Sequence, residues 1–301
     1  MDSVFVTGGS GFLGSRLLQA LLARGMSVVG LDRSGALGDG SGKQTRLEVV
    51  QGDLLDPRTY MQALATTDAA VHLAAATGKA SAERHFEVNA RGTEILLEQC
   101  RQAGVRKLLF VSSIATKFPD KTRYYYAQAK QRAEEAIQAS GLEFTIVRPT
   151  IIIGRGSAPL VALSRLAGLP LVPVFGDGRT RVQPIYVEDL VEFIVAILDQ
   201  RRFAGETLEL GGPTVLTIEE LLHEVRSARS GGRARTVHIP LGLLLPFLGA
   251  AEKLGIGPLP LTTGQLASFR FDGTIEPSAL HEGRRAGLKA VPEMLSLSLA
   301  A

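Results

Sequence analysis

The chain has 301 residues, 45% hydrophobic and 21% charged, with 33 Lys+Arg against 30 Asp+Glu for a net charge of +3. That composition fits a globular protein large enough for one α/β core with an added lobe. The basic surplus is small and no long block of like charge occurs, so the pI near 9.1 gives little support to nucleic-acid binding. The single cysteine, Cys100, excludes an intrachain disulfide and CxxC metal or redox pairs, and its amphipathic setting predicts a small core residue. The most apolar stretch, 239–251, holds Pro240 and Pro246 within 13 residues, too short to span a bilayer. No basic-then-apolar leader opens the sequence, and cytoplasmic residence is expected.

Taken in chain order, a first strand is expected at Val4-Phe5-Val6, then T-G-G-S-G-F-L-G at 7–14 and a helix from Gly14 to Arg24. Gly8, Gly11 and Gly14 therefore fall on a strand-to-helix turn. Gly8 permits the tight bend, Gly11 lets backbone approach a phosphate, and Gly14 lets the helix pack on the strand. The first-turn N–H groups, those of Phe12 and Leu13 among them, then face an anion along the helix dipole. That context, more than the glycines themselves, points to a dinucleotide.

A second strand, Ser27 to Leu31, leads to Asp32, 18 positions after Gly14. A carboxylate there can accept from adenosine ribose hydroxyls and would repel a 2′-phosphate, favouring NAD. Arg33 beside it could pair a 2′-phosphate, which leaves NADP open. After a third strand, Leu47 to Gln51, comes G-D-L, in which Asp53 could accept from an adenine amino group and Leu54 pack on the ring. A plain turn-forming aspartate competes with that reading.

A helix over Arg58–Ala65 precedes a fourth strand, Ala69 to Leu73. The strand carries His72, a core or hydrogen-bonded histidine, and then the small residues around Leu73, Ala74 and Ala75 that would let a cofactor lie close. A long helix, Ala82 to Ala103, is expected to end at Gly104. A fifth strand, Lys107 to Ser112, precedes Ser113; a helix from Ala127 to Ser140 ends at Gly141; and a sixth strand, Phe144 to Val147, precedes Arg148-Pro149.

Tyr126 and Lys130 stand four apart at the start of that helix, on one face. A phenol is a poor base at neutral pH unless a nearby ammonium stabilises its anion. Lys130 could also donate to a nicotinamide ribose, and Ser113 could hydrogen-bond an oxygen that gains or loses a proton.

Strands alternating with helices specify an α/β, Rossmann-type doubly wound parallel sheet, with ligands beyond the C-terminal strand ends. The second half loses this rhythm. Prolines and glycines gather over 154–173 and 255–264, and helices are expected at Val187–Asp199 and Thr217–Arg226. The expected division is an NAD(P)-binding domain over 1–152 and a smaller C-terminal substrate lobe over 153–301, with some segments returning to the core. Leu241 to Ala251 could line a greasy pocket or touch a membrane surface, a buried lobe helix being the plainer role.

These motifs together resemble the extended short-chain dehydrogenase/reductases, the NAD-dependent epimerase/dehydratase type. The resemblance rests on T-G-G-S-G-F-L-G, Asp32, G-D-L, H-L-A-A, V-N-A-R-G-T-E-I-L-L at 88–97, V-S-S-I at 111–114, Tyr126…Lys130 and R-P at 148–149. It continues through G-D-G-R-T-R-V-Q-P-I-Y-V-E-D-L at 176–190 and G-E-T-L-E-L-G-G-P at 205–213. It implies a catalytic triad of Ser113, Tyr126 and Lys130, with Asn89 as a helper and Pro149 beside the cofactor, and it implies no metal. Family habit adds a homodimer by analogy only.

Three departures mark the sequence. Tyr126 follows Ser113 by only 13 positions, no asparagine follows R-P-T-I-I-I, and Val182 stands where sugar-nucleotide epimerases tend to place an arginine, with Arg181 one position away. A sugar nucleotide is then less expected than a sterol-like or other alcohol or ketone substrate. The same features resemble an atypical branch that includes the Rossmann-like accessory subunit of respiratory complex I. The two expectations are an NAD(P)-dependent oxidoreductase or epimerase and a non-catalytic nucleotide-binding module, structural or redox-sensing.

Overall fold

The computed structural model describes residues 2–37, 46–242, 266 and 269–300. Its centre is a seven-stranded sheet in the order β11-β6-β5-β4-β1-β2-β3. The strands are β1 (Ser3–Thr7), β2 (Ser27–Asp32), β3 (Leu47–Gln51), β4 (Ala69–His72), β5 (Lys107–Val111), β6 (Glu143–Pro149) and β11 (Glu206–Leu210). The neighbours from β6 across to β3 pair in parallel. Val4, Phe5 and Val6 of β1 and Ala69, Ala70 and Val71 of β4 have no exposed surface, as strands covered on both faces require.

Chain order reverses at β1, which pairs with β2 through Thr7↔Leu31 and with β4 through Thr7↔His72. The glycine turn thus leaves the sheet at its topological switch point, where open α/β sheets bind ligands. Helix α1 (Phe12–Ala23) buries Leu17, Leu18 and Leu21, one stripe at helical spacing.

Three helical expectations are refined. The segment 58–65 is a 3₁₀ turn (Pro57–Thr59) followed by the short α2 (Met61–Leu64). The long helix is α3 (Ala82–His85), a π-helical turn over Phe86–Arg91, and α4 (Gly92–Ala103), which Gly104 ends at φ 75°. Helix α5 begins at Tyr125 and runs to Gln138. Its early start places Tyr126 inside the first turn.

The chain forms two compact units that exchange segments. The first comprises Met1–Ser113, Gln128–Arg148 and Leu190–Leu208; the second comprises Ile114–Ala127, Pro149–Asp189 and Glu209–Ala301. The core of the first joins Phe5, Leu31, Tyr60, Leu96, Cys100 and Phe110, with the Cys100 thiol pushed up to about 12 by burial.

The second unit is built on short strand pairs. β7 (Ile152–Ile153) pairs with β10 (Ile185–Tyr186), β9 (Arg181–Val182) with β12 (Leu216–Thr217), and β8 (Val172–Phe175) with β13 (Thr236–Ile239). Helices α6 (Ala158–Ala167), α8 (Ile218–Ser230) and Val291–Leu299 give it Leu163, Leu221, Val225 and Met294 as core. Helix α7 (Val187–Asp199) leads from the second unit into the first. Apart from Leu241 and Gly242, the apolar stretch ending at Ala251 lies outside the described residues.

Candidate active site

The glycine turn is closed by its own backbone: Gly11 N–H donates to Gly8 O at 3.1 Å, and Ser15 N–H to Gly11 O at 2.9 Å. Gly8 sits at φ 73°, and a β-carbon there would stand 2.6 Å from Ala74 N; one at Gly14 would run into the Gly8 carbonyl oxygen. Both glycines are therefore required by close backbone approach. Gly11 differs, since its β-carbon would meet only Gly8 O, at 3.2 Å. It is the extended N-cap of α1, and no side chain caps the turn. Absence of side-chain bulk and of a side-chain cap at a helix N-terminus, on a switch point, fits a pyrophosphate.

Asp32 is fully buried at the end of β2. Its Oδ1 accepts from Ser34 N (3.1 Å) and Ser34 Oγ (2.9 Å), and its Oδ2 from Leu37 N (2.8 Å). Burial opposes its charge, yet the Leu37 and Ser34 donors, with the Ser10 hydroxyl, hold its carboxyl below the usual range. A carboxylate offers about four acceptor sites, so a ribose diol at this point would compete with the Ser10 and Ser34 hydroxyls. Arg33 is exposed, and its carbonyl accepts from Gln51 Nε2 at 3.1 Å.

Asp53 accepts from Leu55 N at 2.9 Å, the turn geometry weighed against adenine contact. Leu54 is 6% exposed, and its side chain fills the space over Gly92, where a β-carbon would lie 2.7 Å from it. In this structure Leu54 is part of the core.

His72 spans three elements. Its Nδ1 lies 2.6 Å from Thr7 Oγ1 and its Nε2 2.9 Å from Thr93 Oγ1. Thr93 Oγ1 also donates to Asn89 O at 2.8 Å, so it accepts from Nε2–H, and Nδ1 accepts from Thr7. Burial, then the Lys130 charge, pushes His72 down to about 3, and the ring stays neutral. This is a structural histidine that fixes the end of β4. The loop beyond it, with Leu73, Ala74 and Ala75 half-buried, is held by Thr7 Oγ1 on Ala74 N (3.2 Å) and by Asn89. The Asn89 amide both accepts from Ala76 N (2.7 Å) and donates to Ala76 O (2.9 Å). Asn89 reaches that backbone from the π-helical turn.

Helix α5 carries Lys130 into the interior of the first unit. Lys130 is 2% exposed, its Nζ donates to Val111 O at 2.7 Å, and it lies 4.1 Å from the Phe110 ring centroid. Burial pushes it down to about 7, against the opposing pull of Glu134. The carbonyl it holds ends β5, two residues before the half-buried Ser113.

One turn further along the helix, Glu134 is also buried. It accepts from Ser112 Oγ and from Arg148 Nε, the latter at 3.0 Å and 3.2 Å. The Ser112–Glu134–Arg148 network went unrecognised in the sequence. Its only signal was an acid four residues beyond Lys130 on an otherwise buried helical face.

Tyr126 belongs to the second unit's segment and Pro149 begins the next one. Tyr126 is half-buried and tilts against Tyr124, ring centroids 6.0 Å apart. Tyr124 stacks on Phe118 at 6.3 Å, and Phe118 meets Phe271 at 5.8 Å. Three cations of this unit are committed. Lys117 Nζ pairs with Glu209 and Glu276, and Lys121 Nζ donates to Thr116 O and Phe118 O. Arg181 pairs with Asp272 at 2.7 Å, while Val182 is buried in the core.

Glycine turn, switch point and buried lysine together define a dinucleotide-binding α/β protein. The profile of the NAD dependent epimerase/dehydratase family matches residues 4–211, and the chain belongs to that family. It is 34% identical to the ceramide reductase of Caulobacter vibrioides, over 64% of this chain and 60% of that protein. It is 32% identical to the NADH dehydrogenase [ubiquinone] 1 alpha subcomplex subunit 9 of Arabidopsis thaliana, over 72% of this chain and 55% of that one. The chain thus spans under two thirds of each of these relatives. The crystal structure of the Bordetella bronchiseptica enzyme WbmH in complex with NAD+ has the same fold, with a TM-score of 0.72 over 100% of this chain and 98% of that one at 20% identity.

Proposed function

We propose that the chain is an NAD(P)-dependent oxidoreductase acting on a secondary alcohol or ketone. The observation that carries this reading is α5, which presents Tyr126 in its first turn and, one turn on, a buried Lys130 bonded to the end of the strand that leads to Ser113. Bound on the Gly8–Gly14 turn, a nicotinamide dinucleotide would supply the hydride acceptor or donor. The chain's own residues do the rest. Tyr126 Oη takes the proton from the substrate hydroxyl, or returns it to the carbonyl oxygen. Ser113 Oγ donates a hydrogen bond to that same oxygen. Lys130, when charged, favours the phenolate and offers a donor to a ribose hydroxyl.

The aspartate at the end of β2 favours NAD over NADP. A neutral substrate is preferred to a sugar diphosphate, because the guanidinium of Arg181 is held by Asp272 and its neighbour Val182 is in the core. Similarity to a ceramide reductase supports a ketone or alcohol without a diphosphate.

Tyr126→Phe is expected to lower turnover about 10²- to 10⁴-fold while retained nucleotide, measured on the purified protein, stays unchanged. The test scans oxidation and reduction of long-chain ketones, sterols, small ketones and sugar nucleotides. The second reading, a non-catalytic nucleotide-binding module, is favoured by the short span from Ser113 to Tyr126 and by the similarity to a complex I subunit. Tight nucleotide binding with no turnover on any of these substrates would select it.

A further inference from the structure

Residues 269–276 lie along β9 within the second unit, with Gly273 bridged in parallel to Val182. Phe269 O accepts from Thr180 Oγ1 (2.6 Å), Asp272 Oδ1 from Arg181 N (2.8 Å), and Arg181 O from Gly273 N (2.8 Å). Ile275 N then donates to Gln183 Oε1 at 3.1 Å, and Glu276 N to Glu209 Oε2 at 2.8 Å. Anchors spaced this closely leave the backbone of the strap little freedom.

Three side chains of this strap meet the segment between Ser113 and Tyr126. Arg270 pairs with Asp120 at 3.5 Å, Glu276 with Lys117 at 3.0 Å, and the Phe271 ring lies 5.8 Å from that of Phe118. Exposure ranks them. The Glu276 side chain is 88% exposed and those of Arg270 and Asp120 about half, so water and salt screen both pairs. Phe118 is 4% exposed and clusters with Ala115 and Ala127, against which Tyr124 and Phe271 pack. Of the three contacts, the aromatic one holds the segment in place.

From Phe118 the rings continue through Tyr124, at 6.3 Å, to Tyr126, at 6.0 Å. Each separation falls in the range where aromatic rings fix one another's orientation through edge and offset contacts. Tyr124 serves here as a ring and not as an acid or base, because burial pushes its phenol up to about 12. Tyr126 is half-buried, so packing on its covered side sets the direction of its Oη. A proton-transferring oxygen has to sit within hydrogen-bond reach of its substrate, and a misplacement of about 1 Å costs on the order of 10²-fold in rate.

We propose that Phe271 is a positioning residue, which sets the orientation of the Tyr126 ring through Phe118 and Tyr124. Its consequence for turnover rests on the reading of Tyr126 as the acid/base.

The test labels the full chain with 3-fluorotyrosine and follows Tyr126 by fluorine NMR, with Y126F assigning its resonance. No substrate is needed, so the measurement stands apart from whether the protein turns over. F271A moves the Tyr126 resonance and narrows it as the ring gains freedom. F271L, which keeps apolar bulk without the ring face, moves it less and in the same direction, and carries the test alone if F271A does not fold. E276Q, which removes only a screened charge, leaves it in place. With a substrate that is turned over, F271A lowers kcat about tenfold or more at unchanged nucleotide affinity, and has no further effect in a Y126F background. A moved resonance in a protein without turnover supports the positioning and removes only the oxidoreductase reading. The proposal is overturned by a resonance unmoved in every folded Phe271 variant, by an equal shift in E276Q, or by a loss of turnover of the same size with and without the Tyr126 phenol.

Discussion

At the scale of single residues, the glycine turn separates what packing demands from what a ligand demands. A β-carbon at Gly14 would strike the Gly8 carbonyl and stand 2.8 Å from Gly9 Cα. Gly14→Ala is therefore expected to destabilise the protein by about 1–3 kcal/mol. At Gly11 the same methyl meets one carbonyl oxygen at 3.2 Å, a distance the turn can absorb. Gly11→Ala should hold its urea midpoint near the parent's while nucleotide affinity, measured by titration, falls about tenfold or more, a loss on the scale of one displaced charge-assisted hydrogen bond.

Lys130 allows a second residue-scale test, with the sign set by burial. Its folded value of about 7 lies below the unfolded value near 10.4. Between those two the unfolded chain binds the extra proton, so stability rises with pH across that window. Below about 7 the burial cost is present in full. Lys130→Met removes the charge, so its stability relative to the parent is expected to be most favourable below that value and to decline toward pH 10 or so. Turnover should be lost at every pH. Urea midpoints taken across the range check this; a difference that does not vary with pH would contradict it.

Helix α5 shows at the scale of an element what local pattern does and does not reveal. Its existence, and the Tyr126/Lys130 spacing, were legible, because one face of a helix repeats every four residues. Strands β1 to β6 were legible for the same kind of reason: short apolar runs bounded by glycine and polar turns. The buried Ser112–Glu134–Arg148 network was not. It joins three elements brought together only by the sheet order, and Glu134 by itself resembles any helical acid.

Nor was the state of Asp32 legible, since its donors come from the conformation of its own loop, through Ser34 and Leu37, and from Ser10 in the glycine turn. The network has a measurable weight. Glu134→Ala removes the carboxylate that pairs with Arg148 and that supports a charged Lys130, and breaking a buried pair in this way costs about 3–5 kcal/mol. The urea midpoint should drop accordingly. Glu134→Gln, which can still accept from Ser112, should lose less.

For the whole molecule, the decisive feature is that the chain crosses between its two units several times. A reading by local pattern sets the main division at residue 152, where the strand-helix rhythm ends, and expects some later segments to return to the core without saying which. The structure returns Leu190–Leu208 to the first unit. Helix α7 is hydrophobic nearly all round, with Leu190, Phe193, Ile194, Val195, Ile197 and Leu198 all buried, the signature of a helix with protein on every side. Behind it, β11 forms the outer strand beside β6.

A fragment ending at residue 152 would lack both, leaving β6 as a raw edge and the apolar surface under α7 in water. Such a fragment is expected to bind ANS, to lack a near-ultraviolet CD signal and to retain no nucleotide, although it contains every glycine of the turn, Asp32, Ser113, Tyr126 and Lys130. A fragment extended to residue 211, the end of the family match, restores α7 and β11 and should recover measurable nucleotide binding. If the shorter fragment bound nucleotide as tightly as the full chain, α7 and β11 would have no part in holding the sheet that positions the glycine turn.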